Sequence, residues 1–479
     1  MFEKVDYKNV LHYFYNISQI PRGSGFNEKI SDYLVDFARE HKLSYVQDAL
    51  KNVIIKKPAS PGYEGHTGVV IQGHMDMVCV AEEGVSHNFK EESLSLFVDG
   101  DMIGAKGTTL GGDDGIALAY GMALLADNTI LHPALEVVIT TDEETGMYGA
   151  KGLDASQISG RFMINVDSED EGVVLVSCAG GLRATGSLLL ERTSKEGSKI
   201  TVKLFGLTGG HSGAEIHKYR TNAIYLMARL LFELKREEEF DILTMEGGEK
   251  DNAIPVWAQA ELVVPKEQEK EFCDCIQEIF GKYKKELGNS EPNMELTLSN
   301  SFEDSYSVLT QESARDFVFL LLQAPDGVQK MSHEIAGLVE SSLNLGILRM
   351  KEEEAVFHFS VRSSVGTYKY FLRDKLEELF AFVGAYCTSD SDYPAWEYRR
   401  DSVLCEKFSE VFRQFYNREP KVQAIHAGLE CGLICEKIPD MDIVSIGPDM
   451  RDIHTPKERL SISSSLRVYQ FLEQLLSAL

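Results

Sequence analysis

Apolar and polar positions repeat at two different periods along this chain, and the periods change in blocks. DYKNVLHYFYNISQI and NEKISDYLVDFAREH carry apolar residues at helical spacing, with Asn27 placed to cap the second. NVIIKK, GVVIQGH, LEVVITT and RFMINVD are short, nearly unbroken apolar runs between helical or glycine-rich stretches. Such runs suit strands buried on both faces of a mostly parallel sheet, and IALAYGMALLADN supplies a crossover helix between two of them. This is α/β architecture.

After about residue 182 the order changes to a strand (KITVKLFG), a helix (YRTNAIYLMARLLFELK), two strands (FDILTM and AQAELVV), a long helix (KEQEKEFCDCIQEIFGKYKKEL) and a strand (MELTLSN). That series is the split βαβ unit. A similar one follows: the SARDFVFLLLQ helix, the strands SSLNLGILRM and AVFHFSVRSS, the YKYFLRDKLEELFAFVGAY helix, and AWEYRR as a last strand. From about residue 398 the first style returns, with VLCEKFSEVFRQFY as a helix, the strands VQAIH and MDIVSIG, and a helix in SSSLRVYQFLEQLLSAL. The expected fold is α/β. A discontinuous domain, residues 1–182 and 398–479, has a mostly parallel sheet flanked by helices. Residues 183–397 form an inserted α+β domain of one or two split-βαβ modules.

At 479 residues two domains are the natural division, and 43% hydrophobic with 26% charged residues is a globular composition. The formal net charge of -27, from 75 acidic against 48 basic residues, repels phosphate backbones and anionic lipid, so neither nucleic acid nor a membrane is expected as a partner. No apolar run reaches membrane-helix length and no signal-like core stands in MFEKVDYKNV, which places the protein in the cytoplasm. None of the eight cysteines has CxxC spacing, so reduced thiols are expected rather than a zinc ribbon.

The candidate chemistry sits where the predicted strands end. In GHMDMV, His74 and Asp76 point to one face of a strand, which reads as a ligand followed by the acid that orients it or as a satisfied buried histidine. In TTLGGDDGIALA, glycines flank Asp113 and Asp114 in a tight strand-to-helix turn, which reads as an ion site or as a helix cap. Asp142, Glu143 and Glu144 follow an apolar strand directly. The run reads as a solvated charge cluster or as part of a ligand site; in the second case consecutive acids point apart, and Glu143 and Glu144 take different tasks, one toward a metal and one toward a water. RFMINVDSEDEG ends in Asp167, and GPDMRDIHTPKERL supplies a second imidazole, His454. Acids and histidines at one carboxyl edge of an α/β sheet stand where such sheets bind ligands. Mixed histidine and carboxylate donors suit zinc, with cobalt or manganese as substitutes. One histidine and one carboxylate per metal, plus a bridging carboxylate and hydroxide, balance two divalent cations, and Glu143 is well placed as general base.

These motifs, with CAGG, GLTGGHSG, DNAIP and HAGLECG, resemble in order and spacing those of the aminoacyl-histidine dipeptidases, the peptidase D type of the aminoacylase and carnosinase superfamily of two-zinc hydrolases. The resemblance runs from GHMDMV to HTPKER. It implies two zinc ions per chain, one held by His74 and Asp167 and the other by Glu144 and His454, with Asp113 bridging. It also implies Asp76 as orienting acid, Glu143 as general acid and base, and a cis peptide between Asp113 and Asp114. The insertion becomes a lid, in which His211 stabilises the oxyanion and Asn252 and Arg362 hold the substrate. The chain departs from the family in having Asp114 where asparagine is usual, and the ungapped motif favours Asp113 as the bridge. The implied activity is hydrolysis of dipeptides, Xaa-His and β-alanyl-histidine among them, by a monomer or homodimer. An N-acyl amino acid deacylase or tripeptide aminopeptidase is the alternative, and a non-catalytic metal-binding scaffold conflicts with the complete donor set.

Overall fold

The computed structural model describes residues 6–479. They divide into two compact units: the first runs to Ser177 and resumes as Tyr398–Ala424 and Leu429–Leu479, and the second holds Cys178–Glu397 and Ile425–Gly428. The units divide at 177/178 and 397/398, and the short excursion at 425–428 has no counterpart in the sequence reading.

In the first unit an eight-stranded sheet has the order Ser44–Gln47, Val53–Lys57, Leu135–Thr140, Val69–His74, Phe162–Asn165, Asp442–Ser445, Val173–Cys178, Lys421–Ile425. The central four strands, Leu135–Thr140 to Asp442–Ser445, pair in parallel. Toward the edges Val53–Lys57 and Val173–Cys178 join antiparallel. Every residue of Val69–His74 and Leu135–Thr140 is buried, which is why these strands read as unbroken apolar runs rather than alternating ones. The helix Gly112–Ala126 is buried almost all round, packed against Val69–His74 and the helices Val10–Ser18 and Ile462–Ala478. A smaller sheet orders Met450–Arg451, Arg459–Ser461, Met102–Ala105 and Leu96–Asp99, so the loop between the first two strands is tied to the segment that leads into Gly112.

Asn27 does precede the helix Glu28–Glu40, but its side chain makes no cap bond. Its amide instead donates to Asp142 at 2.7 Å, an acid that also accepts from the Gly25 N–H at 2.6 Å. The position was legible and the partner was not.

The second unit carries one nine-stranded sheet. Glu295–Leu309, Arg192–Phe205, Ala258–Val264 and Asp241–Gly247 lie in the order fourth, first, third, second of a split βαβ unit, with the helices Ala223–Leu234 and Glu269–Leu287 as crossovers. Tyr386–Tyr393, Gly180–Leu189, Glu354–Ser363 and Val339–Met350 repeat that order with the helices Gln311–Gln323 and Gly366–Phe382. The two modules join edge to edge where Gly247 pairs with Leu348. The structure departs from the expected order at two strands. The second module begins with Gly180–Leu189, placed in the chain before the whole first module. It ends with Tyr386–Tyr393, whereas AWEYRR forms no strand beyond a single bridge from Trp396 to Cys178.

Phe380 is fully buried against Phe357 and Phe359, with ring centroids 5.2 and 6.2 Å away, and Gly186 makes room for it. Phe380→Ala should cost about 3–5 kcal/mol of unfolding free energy in urea titration. Phe382→Ala two residues on, where the ring is 79% exposed, should stay within about 0.5 kcal/mol.

Candidate active site

At the carboxyl ends of Val69–His74, Leu135–Thr140 and Phe162–Asn165 the first unit gathers the acids and imidazoles that the motifs single out. His74 is buried at the last position of its strand, with Nε2 3.1 Å from Asp113 Oδ1 and 3.7 Å from Asp167 Oδ1. On the far side of the same ring Nδ1 lies 3.4 Å from Asp76 Oδ1. Asp76 is itself pinned: it accepts from Ser24 Oγ at 2.8 Å and from the N–H groups of Glu143 and Glu144 at 3.1 and 3.4 Å. His454 Nε2 stands 3.1 Å from Asp113 Oδ2 and 3.0 Å from Glu144 Oε1. Asp113 therefore offers one oxygen to each imidazole.

Several local devices create this geometry. The peptide between Asp113 and Asp114 is cis, and both residues depart from helical backbone at the start of Gly112–Ala126. Glu458, from the same loop as His454, accepts from the N–H groups of Leu110, Gly111 and Gly112 at 2.8, 3.0 and 2.8 Å, and from that of Asp113 at 3.3 Å. Arg22, fully buried, donates to the carbonyls of Met75 and Asp76 at 3.0 and 3.1 Å and to that of Gly111. One acid thus binds the donors of the Asp113 turn, while one base ties the turn's Gly111 carbonyl to the two carbonyls that follow His74. Asp142 anchors the turn that carries Glu143 and Glu144, so the three consecutive acids have three separate tasks. His454 sits at a φ of 61° in the loop between Met450–Arg451 and Arg459–Ser461, a left-handed conformation uncommon for a side-chain-bearing residue.

Charge follows from this crowding. Burial works against the His74 cation, yet Asp113, Asp167 and Asp76 outweigh it and hold the imidazole well above its ordinary value. Asp113 and Glu144 push His454 up to about 11. Asp113 is drawn down despite burial, chiefly by the two imidazoles. Asp167 is raised by burial to about 6, and burial, reinforced by Asp167, Glu430 and Glu144, raises Glu143 well above the carboxylate range. The cluster strongly favours positive charge.

A metal fits these donors. Donor atoms of His74, Asp113 and Glu144 lie within 4.8 Å of one another, as do those of His74, Asp114 and Asp167. Ligands about 2.0–2.2 Å from a tetrahedral zinc ion stand about 3.3–3.6 Å apart, close to the 3.0–3.7 Å separations found here. Asp114 is differently engaged: Oδ2 accepts from the His74 backbone N–H at 3.2 Å, Oδ1 has no partner, and burial raises its pKa well above the usual range.

Below the site lies a buried polar row absent from the sequence reading. Glu430 accepts from Thr140 Oγ1 at 2.5 Å and from Gln72 Nε2 at 2.6 Å, and Asn165 donates to Gln72 at 2.7 Å. Burial pushes Glu430 up to about 8.

Within the second unit, His211 and Asn252 stand on facing segments: His211 pairs with Ala253, and the Ser212 N–H donates to the Asn252 carbonyl at 2.9 Å. His211 Nδ1 accepts from the N–H groups of Ala214 and Gly213 at 2.9 and 3.2 Å, so the neutral ring carries its proton on Nε2. Burial, and then Arg362, lower the His211 pKa. Asn344, unnoticed in the sequence, clamps the Asn252 turn by donating to the carbonyls of Asp251 and Ala253, each at 3.0 Å. Arg362 lies on Glu354–Ser363 and donates to Tyr393 Oη at 3.2 Å.

Residues 70–478 match the model of peptidase family M20/M25/M40, and the chain belongs to that family. It is 36% identical to the cytosol non-specific dipeptidase of Escherichia coli (strain K12) over 470 residues, covering 97% of this chain and 96% of that protein. The crystal structure of aminoacylhistidine dipeptidase from Vibrio alginolyticus superposes with a TM-score of 0.93 at 34% identity, covering 100% of this chain and 99% of that one. Aminopeptidase PepT from Bacillus cereus ATCC 10987, at 14% identity, TM-score 0.56 and coverage of 99% of each chain, shares the fold.

Arg22, Ser24 and Glu458 escaped the sequence reading because their partners are largely backbone atoms or other buried acids. Glu458→Ala should leave four N–H groups of the Asp113 turn without their acceptor. Calorimetric zinc titration should then show affinity falling about 10–100-fold.

Proposed function

We propose that this metallopeptidase-family chain is a two-zinc dipeptidase. The observation that carries the proposal is the Asp113 carboxylate, with one oxygen 3.1 Å from His74 and the other 3.1 Å from His454. His74 and Asp167 would hold one ion, His454 and Glu144 the other, and Asp113 both. The three carboxylates offset most of the charge of two divalent cations. Bound metal supplies a Lewis acid for the scissile carbonyl and lowers the pKa of water toward about 7.

The protein's own groups do the rest. Asp76 fixes the His74 ring through Nδ1, so that Nε2 faces the other donors. Glu143, raised well above the usual carboxylate range by burial, is the proton carrier: it takes a proton from the attacking water and returns it to the leaving amine. In the second unit, His211 presents an Nε2–H donor suited to a developing oxyanion, and Asn252 and Arg362 hold the substrate backbone and its free carboxylate. The two relatives named as dipeptidases, at 36% and 34% identity over nearly the whole chain, favour dipeptides over N-acyl amino acids or tripeptides. Xaa-His substrates follow the Vibrio alginolyticus likeness and broader dipeptide use the Escherichia coli one, whose name also supports a cytoplasmic location. A metal-binding scaffold without activity would have no use for Glu143.

Zinc-loaded protein should cleave members of a dipeptide panel that includes Xaa-His, and a chelator should abolish cleavage; a panel left wholly intact would overturn the proposal. Glu143→Gln should lower kcat by about 10²–10⁴-fold while zinc binding persists. Asp113→Asn should lose metal and activity together. Asp114→Asn should stay within a few-fold of the parent, because an amide oxygen can accept the His74 N–H as Asp114 does; the reverse ranking in steady-state assays would make Asp114 the bridge.

A further inference from the structure

Four residues stand in one row across the second unit's sheet: Ser342 pairs with Arg362, Arg362 with Gly181, and Gly181 with Tyr393. Directly opposed residues share a face of a sheet, so the side chains of Ser342, Arg362 and Tyr393 rise on the same side. Glycine in the third place leaves a gap that the tyrosine fills. A Cβ on Gly181 would come within 2.4 Å of the Tyr393 hydroxyl, and one on Gly428 within 2.7 Å of its ring. The hydroxyl accepts from Arg362 Nη1 at 3.2 Å. At the other end of the row, Ser342 Oγ pairs with His426 Nε2 at 2.7 Å. Burial and the nearby guanidinium push His426 down to about 3, so this imidazole is neutral and Arg362 carries the positive charge. Arg362 Nε is buried and has no hydrogen-bond partner.

An arginine binds a carboxylate best through two parallel N–H groups on one edge. Tyr393 accepts from Nη1, and the side-on edge that carries the unpartnered Nε is left for the anion. We propose that Tyr393 is a positioning residue: its hydroxyl fixes the Arg362 guanidinium so that this edge reads the free carboxylate of the substrate. The proposal rests on the reading of Arg362 as the carboxylate anchor. Gly181 and Gly428 are glycine because the ring needs their space.

The test is steady-state kinetics of zinc-loaded protein on one dipeptide and on the same dipeptide as its C-terminal amide. Tyr393→Phe should raise KM for the free acid roughly tenfold, leave kcat within about twofold, and leave the amide unaffected. Gly181→Ala, whose methyl group competes for the hydroxyl's place, should give the same acid-only defect. Combining Tyr393→Phe with Arg362→Ala should be no worse than Arg362→Ala alone. Equal KM increases for acid and amide, or no increase for either, would overturn the role of Tyr393. If Arg362→Ala itself fails to erase the preference for the acid, the carboxylate-anchor reading falls first, which separates the two failures.

Discussion

Acids packed together at the end of a buried sheet are held by opposite charge or not at all, and here that charge lies between them. His74 and His454 each stand between a private carboxylate and the shared one of Asp113. Removing this arrangement would leave Asp113, Asp167, Glu143 and Glu144 repelling one another in a poorly hydrated space. The same demand that raises the imidazoles toward protonation gives the cluster its appetite for divalent cations.

Such a cluster survives only on a rigid support. The parallel strands deliver His74, the acids after Leu135–Thr140 and Asp167 to one edge, but Asp113 arrives on a turn, and turns are mobile by default. Glu458 compensates by accepting from the N–H groups of that turn, and Arg22 ties the turn's Gly111 carbonyl to those of Met75 and Asp76. Because Glu458 belongs to the loop of His454, one short segment both supplies an imidazole and holds the carboxylate that faces it. In the second unit Asn344 does comparable work for Asn252, and the His211 tautomer is set by two backbone N–H groups rather than by an acid.

The first unit's fold was largely legible because burial on both faces leaves unbroken apolar runs, and the donor residues follow those runs at once in GHMD, TDEE and NVD. What sequence could not show was pairing at a distance. Gly180–Leu189 belongs to a module whose other strands come after an entire intervening module, so local order concealed it. AWEYRR has the composition of a strand but lies past the edge that Tyr386–Tyr393 completes. Arg22 and Glu458 look like ordinary loop charges, since a side chain bound to backbone leaves no complementary residue to find. Asn27 has the position of a helix cap, while its amide serves Asp142.

The interior place of Asp442–Ser445, between Phe162–Asn165 and Val173–Cys178, has a bearing on biosynthesis. A nascent chain that has just released Phe162–Asn165 lacks this strand, and the ribosome must thread the whole second unit before supplying it. Domains generally fold as units during translation, which would let the second unit mature while the first still lacks its middle strand. His454 and Glu458 emerge just after that missing strand. A prematurely terminated product therefore lacks the second of the two imidazoles that flank Asp113.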